Sequence, residues 1–332
     1  MDINRLFAQF KDIKAGVIGD IMLDTYWWGH VERISPEAPV PVVTLDKREY
    51  RIGGAGNVAL NLASLGAKVA TFSLIGNEEE GKTLEELLKK SNIDTGYLLK
   101  SGNRITTSKT RIISRNQQMI RLDSETTKDL TTEEEDNLLT QIRGYLVKER
   151  PRIMLFEDYN KGVLTERVIR EVIALCKEHD VYTAVDPKRK NFFSYEGVTI
   201  FKPNLKEVKE GLNLLLEDVR LPALQGIHEQ LVKKLHHEIS FITLSEKGVF
   251  YQSSAKAEIV PSHLRNIADV SGAGDTVIAV ASLVYAATKD IHLMAEVANI
   301  AGGLVCEEVG TVAIDKDLLL RECKALLEGR TG

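Results

Sequence analysis

Short runs of β-branched and apolar residues alternate with longer stretches of helical period along most of this chain, and this rhythm narrows the possible folds more than any other feature. A strand at Lys14–Gly19, a small-residue helix at Ala55–Leu65, a strand at Lys68–Ile75 and a charged helix from about Gly81 to Lys90 set the pattern. It resumes with a helix at Thr132–Lys148, a strand at Arg152–Phe156, a helix at Thr165–Glu178, and strands at Val181–Val185, Val198–Phe201 and Ile239–Leu244. Parallel strands need long crossovers, and the crossover helices cover the sheet, so the pattern predicts a mainly parallel sheet with helices on both faces. Gly274–Ala287, His292–Val309 and Asp315–Leu327 read as three closing helices beside it.

Two segments break the rhythm, Ala38–Ile52 and Ile105–Leu122. Their prolines and arginines suit edge strands, and together they read as one small, discontinuous antiparallel β lid on a single domain spanning 1–332. With 43 Lys+Arg against 48 Asp+Glu the net charge is −5, which argues against nucleic acid as a partner. Cys176, Cys306 and Cys323 are widely spaced and support neither a disulfide framework nor a zinc site. No run approaches the ~18 apolar residues of a membrane span, and the amphipathic stretch Met1–Phe10 lacks a signal peptide's apolar core, so a cytoplasmic location is expected.

Two glycine motifs compete as phosphate loops. Gly76-Asn-Glu-Glu-Glu-Gly-Lys-Thr83 satisfies GxxxxGK[ST], yet Glu78, Glu79 and Glu80 would set three negative charges around a polyanion. A turn whose acids stabilise the next helix explains it better. Asp269-Val-Ser-Gly-Ala-Gly-Asp-Thr276 precedes an apolar helical run, so its amides gather at the positive end of a helix, a natural anion site. Asp275 at its edge suits a general base for phosphoryl transfer, although an aspartate capping a helix after a glycine turn has the same spacing. Gly53-Gly-Ala-Gly-Asn57 opens a helix with Asn57 and Asn61 on one face. It lacks the Rossmann spacing and suits close approach of a ligand, with Asn57 on a sugar hydroxyl.

Together these motifs resemble the PfkB/ribokinase carbohydrate kinases: a GG motif early, Asn204-Leu-Lys-Glu207 in mid-chain and the late DxxGAGD of Asp269–Asp275. Within that family the chain is most similar to the kinases of D-glycero-D-manno-heptose 7-phosphate, the kinase half of the bifunctional ADP-heptose enzymes. That likeness is carried by Gly19–Asp24, Arg33–Val42, Gly53–Ala59, Ser114–Asp123, Asp158–Gly162 and Val185–Lys188. Ser271 stands where threonine is usual and Gly56 where alanine is common. The likeness implies a ribokinase-like three-layer α/β fold and an ATP- and Mg²⁺-dependent transfer to the anomeric O1 of the heptose phosphate, in making nucleotide-heptose precursors of surface glycans. It ends near residue 330, which implies the kinase alone, acting with a separate nucleotidyltransferase, and the family likeness also implies a homodimer joined through the lid strands.

Carried over, the family pattern makes Asp275 the base and the amides of Gly272, Ala273 and Gly274 the anion hole. It makes Asn204 and Glu207 the nucleotide motif, with Glu207 holding Mg²⁺ through water, and Thr243, Ser245, Gly248 and Asn299 the rest of the nucleotide site. Asp24, taken as the end of the first strand, with Gly53, Gly54, Asn57 and Asp158, forms the sugar side. A phosphosugar needs cations, and among Lys109, Arg111, Arg115, Arg121 and Lys161 the expected phosphate ligands are Arg111, Arg115 and Lys161. The alternatives are a PfkB-family kinase of another sugar, a P-loop NTPase working through Lys82 and Thr83, or a sugar-binding protein without turnover.

Overall fold

The computed structural model describes residues 2–115, 117–215 and 218–328. Asn116, inside the second expected lid segment, lies outside them. Helix α1 (Ile3–Gln9) leads into strand β1 (Lys14–Gly19), and two long strands, β2 (Ile21–Ile34) and β3 (Pro41–Gly54), follow. Next come α2 (Ala55–Ser64), β4 (Lys68–Gly76), α3 (Glu79–Lys90), β5 (Leu98–Ser101), β6 (Thr107–Ser114) and β7 (Gln117–Ser124). The middle of the chain holds α4 (Thr132–Glu149), β8 (Ile153–Glu157), α5 (Glu166–Glu178), β9 (Tyr182–Asp186) and β10 (Ile200–Phe201). It continues through α6 (Leu205–Leu212), α7 (Leu221–Leu235), β11 (Ile239–Thr243) and the hairpin β12 (Val249–Gln252) and β13 (Ala257–Val260). Helices α8 (Ala273–Thr288), α9 (Ile291–Val305) and α10 (Lys316–Cys323) close it.

Among the described residues, the main sheet has the order β13-β12-β11-β10-β9-β8-β1-β4-β5, parallel except where the terminal hairpin is added to β11. Side chains alternate between two cores: Val17, Leu155 and Ala184 pack under α2, α8 and α9, while Ile18, Phe156 and Val185 pack under α4, α5 and α7. The rhythm predicts a parallel sheet with helices on both faces, which is what the structure has, and the three layers are those that the resemblance to ribokinase-like kinases implies. The strand order reverses at β1, which has β4 on one side and β8 on the other. A crevice therefore opens beyond the carboxyl ends of β1 and β8, the usual place for a ligand in an open parallel sheet. No helix among the described residues is long and apolar enough to cross a membrane.

A second sheet, β3-β2-β6-β7, stands over that crevice. The segments 38–52 and 105–122 fall within it, but so does all of β2, and β2 pairs with β6 in parallel rather than antiparallel. Asp24 is thus not at the end of the first strand: β1 stops at Gly19, and Asp24 lies on β2 of the second sheet. The two strands are separated only by Asp20, whose buried carboxylate accepts the amides of Tyr159, Lys161 and Val163 at 2.9, 3.0 and 3.1 Å. One continuous apolar run in the sequence is divided by that anchor.

Candidate active site

Gly272 adopts φ +78°, the left-handed region where glycine is preferred, and turns the chain into α8. The amide of Ala273 donates to the Val270 carbonyl at 3.3 Å, while those of Gly272, Gly274 and Asp275 have no protein acceptor among the described residues. The free donors at this helix end are therefore not quite the trio expected. Asp275, in the first turn, is buried; its carboxylate accepts hydrogen bonds from Asn57 Nδ2 and Tyr159 Oη, both at 2.8 Å. Burial pushes its carboxyl up to about 6, against the pull of those two donors.

Asn57 is itself held. Asn61, one turn on in α2, donates to the Asn57 carbonyl at 2.8 Å and to its side-chain oxygen at 3.3 Å. Expected on a sugar hydroxyl, the Asn57 amide is fully buried and aimed at Asp275. Asp158 is turned away from the crevice altogether: its carboxylate accepts from Tyr195 Oη at 2.8 Å, Asn191 Nδ2 at 3.1 Å and the Asn160 amide at 2.8 Å, all within the fold. Its neighbour Tyr159 faces the site in its place.

Charged residues to which the sequence reading gives no separate role converge on the same spot. Asp186, at the end of β9, takes Lys202 Nζ at 2.7 Å and Lys188 Nζ at 3.0 Å. Burial alone would raise Asp186, and the two ammonium groups outweigh it, holding its carboxyl below the usual range. Lys188 also reaches Glu207 at 2.7 Å. A Cβ on Gly274 would stand 3.5 Å from Asp186 Oδ2 and 3.8 Å from Lys202 Nζ, so this cluster lies against the start of α8. Asp186 and Lys188 belong to the stretch Val185–Lys188 that carries the family likeness, whereas Lys202 stands in none, a single charged residue between a strand and a proline in Phe201-Lys202-Pro203.

Asn204 and Glu207 form a reciprocal capping box on α6, with both hydrogen bonds at 2.8 Å. Thr243 is bridged to Asn204, bringing the end of β11 beside that box. Ser245 and Gly248 both take positive φ, +55° and +94°, in the turn leading to β12. A Cβ on Gly248 would sit 2.0 Å from the Val260 carbonyl, and Asn299 of α9 donates to the next carbonyl, that of Pro261, at 2.8 Å. These residues form one continuous rim along β10, β11 and β12.

On the second sheet Asp24 pairs with Arg111 Nη1 at 2.6 Å, and a Cβ on Gly53 would lie 2.4 Å from the Asp24 carboxylate. Gly54, at φ +58°, lets the backbone pass Asp20. Lys109 is directly opposite Asp24 in register, lies 5.5 Å from the Tyr159 ring centre, and has no ion pair among the described residues. Lys161 is bound to Glu125 at 2.8 Å. Arg115 is not in the site: it sits at the exposed turn beyond Ser114, which aligns with Gly29 rather than Asp24. The P-loop pattern is also resolved. The Glu78 carboxylate folds back onto the Thr106 amide at 2.6 Å, in the space a phosphate would need, and the Lys82 side chain points to solvent.

The profile of the pfkB family carbohydrate kinases matches residues 13–317. The chain is 40% identical over 309 residues to "Bifunctional protein HldE" of Methylobacillus flagellatus, covering 93% of this chain and 63% of that protein. With the protein of the same name from Geobacter sulfurreducens it shares 36% over 314 residues, 94% of this chain and 63% of the relative. It thus spans under two thirds of the length of these relatives. Phosphofructokinase-2 of Escherichia coli superposes with a TM-score of 0.79 over 95% of this chain and 99% of its own at 17% identity. The ribokinase of Arabidopsis thaliana, solved with ribose and ATP, does so with 0.69 over 93% and 99%, also at 17%. With the family profile covering residues 13–317, nearly all of the chain, and unclaimed amides at a helix start beside a buried aspartate, the chain belongs to the pfkB family of carbohydrate kinases.

Proposed function

We propose that this protein transfers the γ-phosphoryl group of ATP to the anomeric O1 of D-glycero-D-manno-heptose 7-phosphate, giving the 1,7-bisphosphate and ADP. The observation that carries the chemistry is Asp275: a buried carboxylate fixed by Asn57 and Tyr159 beside three unclaimed amides. Asp275 takes the O1 proton as the O1–P bond forms and the bond from phosphorus to the β–γ bridging oxygen breaks, with ADP leaving. The amides of Gly272, Gly274 and Asp275 hold the oxygens of the transferred group, and Lys202 and Lys188 supply positive charge next to it. The heptose assignment rests on the motifs spread along the chain and on the HldE relatives.

The donor set suits a magnesium ion that keeps its waters. Among the described residues no three acidic, histidine or cysteine side chains converge as a cage, and Glu207 already accepts from Lys188 and the Asn204 amide. Glu207 would hold the ion through water, and the ion would neutralise phosphate charge. Asn204, Thr243, Ser245, Gly248 and Asn299 border the nucleotide, while Asp24, Gly53 and Gly54 border the sugar. For the 7-phosphate the half-buried, unpaired Lys109 is better placed than Arg111, which Asp24 already engages, with Lys161 as second cation. A homodimer joined through the second sheet, and supply of the product to a nucleotidyltransferase, complete the reading.

The test is ³¹P NMR of the protein with ATP, Mg²⁺ and heptose 7-phosphate, run beside ribose, fructose 6-phosphate and no sugar. A new anomeric phosphate signal with the heptose alone is expected. Turnover of another sugar instead would overturn the substrate, and no turnover of any sugar would overturn the activity.

A further inference from the structure

Glu157 is the residue that no role above uses. It ends β8 and pairs in register with Asp186 of β9. Ile153 and Leu155 of β8 lie in the core beneath α8, Met154 and Phe156 in the opposite one, so alternation turns Glu157 toward the start of α8. Ala184 and Ile200 place Asp186 and Lys202 on the same side. Glu157 is 0% exposed, and neither of its carboxyl oxygens has a hydrogen-bond partner among the described residues. Its neighbours are already committed: Lys202 to Asp186, Lys188 to Asp186 and Glu207, and Asp275 to Asn57 and Tyr159.

A carboxylate ion with no donor, buried between two other carboxylates, is the costliest state available to this side chain, and the neutral acid is far less costly. We propose that Glu157 works as a proton-carrying, uncharged carboxyl, a positioning residue that keeps negative charge low behind Asp275 so that the phosphoryl group can approach. This rests on the reading of Asp275 as the base.

The groups facing it can be named element by element. Asp186 and Lys188 come from β9 and its exit, Lys202 from the end of β10, Asp275 from α8 and Tyr159 from the loop after β8. The Tyr195 phenol also acts on it, and β1 contributes the backbone of Gly19, with Asp20 turned to the loop amides. Burial first, then Asp186 and Asp275, push the Glu157 carboxyl well above its usual range, and the two lysines only partly offset this. On the alkaline side Glu157 ionises, and the added charge repels an anionic nucleotide.

Two arms test this. In the kinetic arm, kcat/KM for ATP is followed against pH with whichever sugar the wild type turns over. Glu157→Ala is expected to lose about ten- to a hundredfold through misplaced neighbours, and the isosteric Glu157→Gln to restore the neutral-pH rate and abolish the alkaline fall. The acid limb near 6, set by Asp275, is retained. In the spectroscopic arm, infrared difference spectra of wild type against Glu157→Gln, without substrate, are expected to show the carbonyl band of one protonated carboxylic acid in the wild type only. A folded Glu157→Gln that loses activity as the alanine variant does, an alkaline fall that survives in it, or no difference band would each overturn the proposal. The spectroscopic arm needs no substrate, so a failed heptose assignment is told apart from a failed role for Glu157.

Discussion

As the proposed base, Asp275 would have to be buried and charged at once, and each condition works against the other. Burial raises its carboxyl to about 6, from an ordinary value of 3.8, so at neutral pH the folded protein holds an ion the unfolded chain would hold more easily. Because the folded value is the raised one, the stability Asp275 contributes is fully present below about 4 and is lost as pH rises through about 6. A shift of roughly two units corresponds to about 3 kcal/mol, less whatever Asn57 or Tyr159 loses when its acceptor becomes an amide. Asp275→Asn is therefore expected to melt higher than the wild type above pH 6 and to lose that advantage below pH 4, as followed by thermal unfolding across pH. The same substitution is expected to lower kcat by about a thousandfold or more while leaving nucleotide affinity, measured by calorimetry, nearly unchanged. An Asn variant with wild-type kcat would remove Asp275 from the mechanism.

At the scale of elements, two kinds of signal met different fates. Local patterns were legible: the glycine turn before α8 and the helical periods reside in contiguous residues, and the structure has elements close to where the periods put them, whereas the capping box that Asn204 and Glu207 form was not read from their spacing. What the parallel sheet brings together was not, because Glu157, Asp186 and Lys202 stand at three separate strand ends of the sequence and become neighbours only through strand register. Strand β2 escaped for another reason: the apolar run continues across Asp20 into Met22 and Leu23, and periodicity alone cannot show where one buried strand ends and the next begins. That strand matters to the sugar side. Pairing of β2 with β3 sets Gly53 against Met22 and leaves no room for a Cβ near the Asp24 carboxylate. Gly53→Ala is expected to push Asp24 off Arg111 and to raise KM for the sugar about ten- to a hundredfold, with KM for ATP unchanged. Initial-rate kinetics with each substrate varied in turn would check this, and an equal rise in both constants would mean damage beyond the sugar side.

For the whole molecule, the second sheet has two unlike faces. Register puts Asp24, Lys109, Arg111, Tyr26 and Arg51 on the face toward the crevice, and Trp27, Tyr50, Ile112, Ile120 and Leu122 on the other. On that outer face Tyr50, Ile120 and Leu122 are 42%, 51% and 48% exposed, apolar side chains left open to solvent on one face of the sheet. Alternation thus gives one strand a charged face and an apolar face without extra elements, the first assigned to a ligand and the second to a partner in the proposed reading. In the proposed homodimer a second copy of the chain would meet the same patch across a two-fold axis and cover it. Light scattering is expected to give a dimer for the wild type. Ile120→Lys with Leu122→Lys, which would bury unpaired charge at the join, is expected to cost about 2 kcal/mol or more per site and give a monomer at micromolar concentration. A wild type that is monomeric throughout that range would leave the patch without this partner. If the dimer forms, the crevice face of each second sheet is steadied from behind, and the double variant should also bind its sugar more weakly, because the strands that carry Asp24 and Lys109 lose their support.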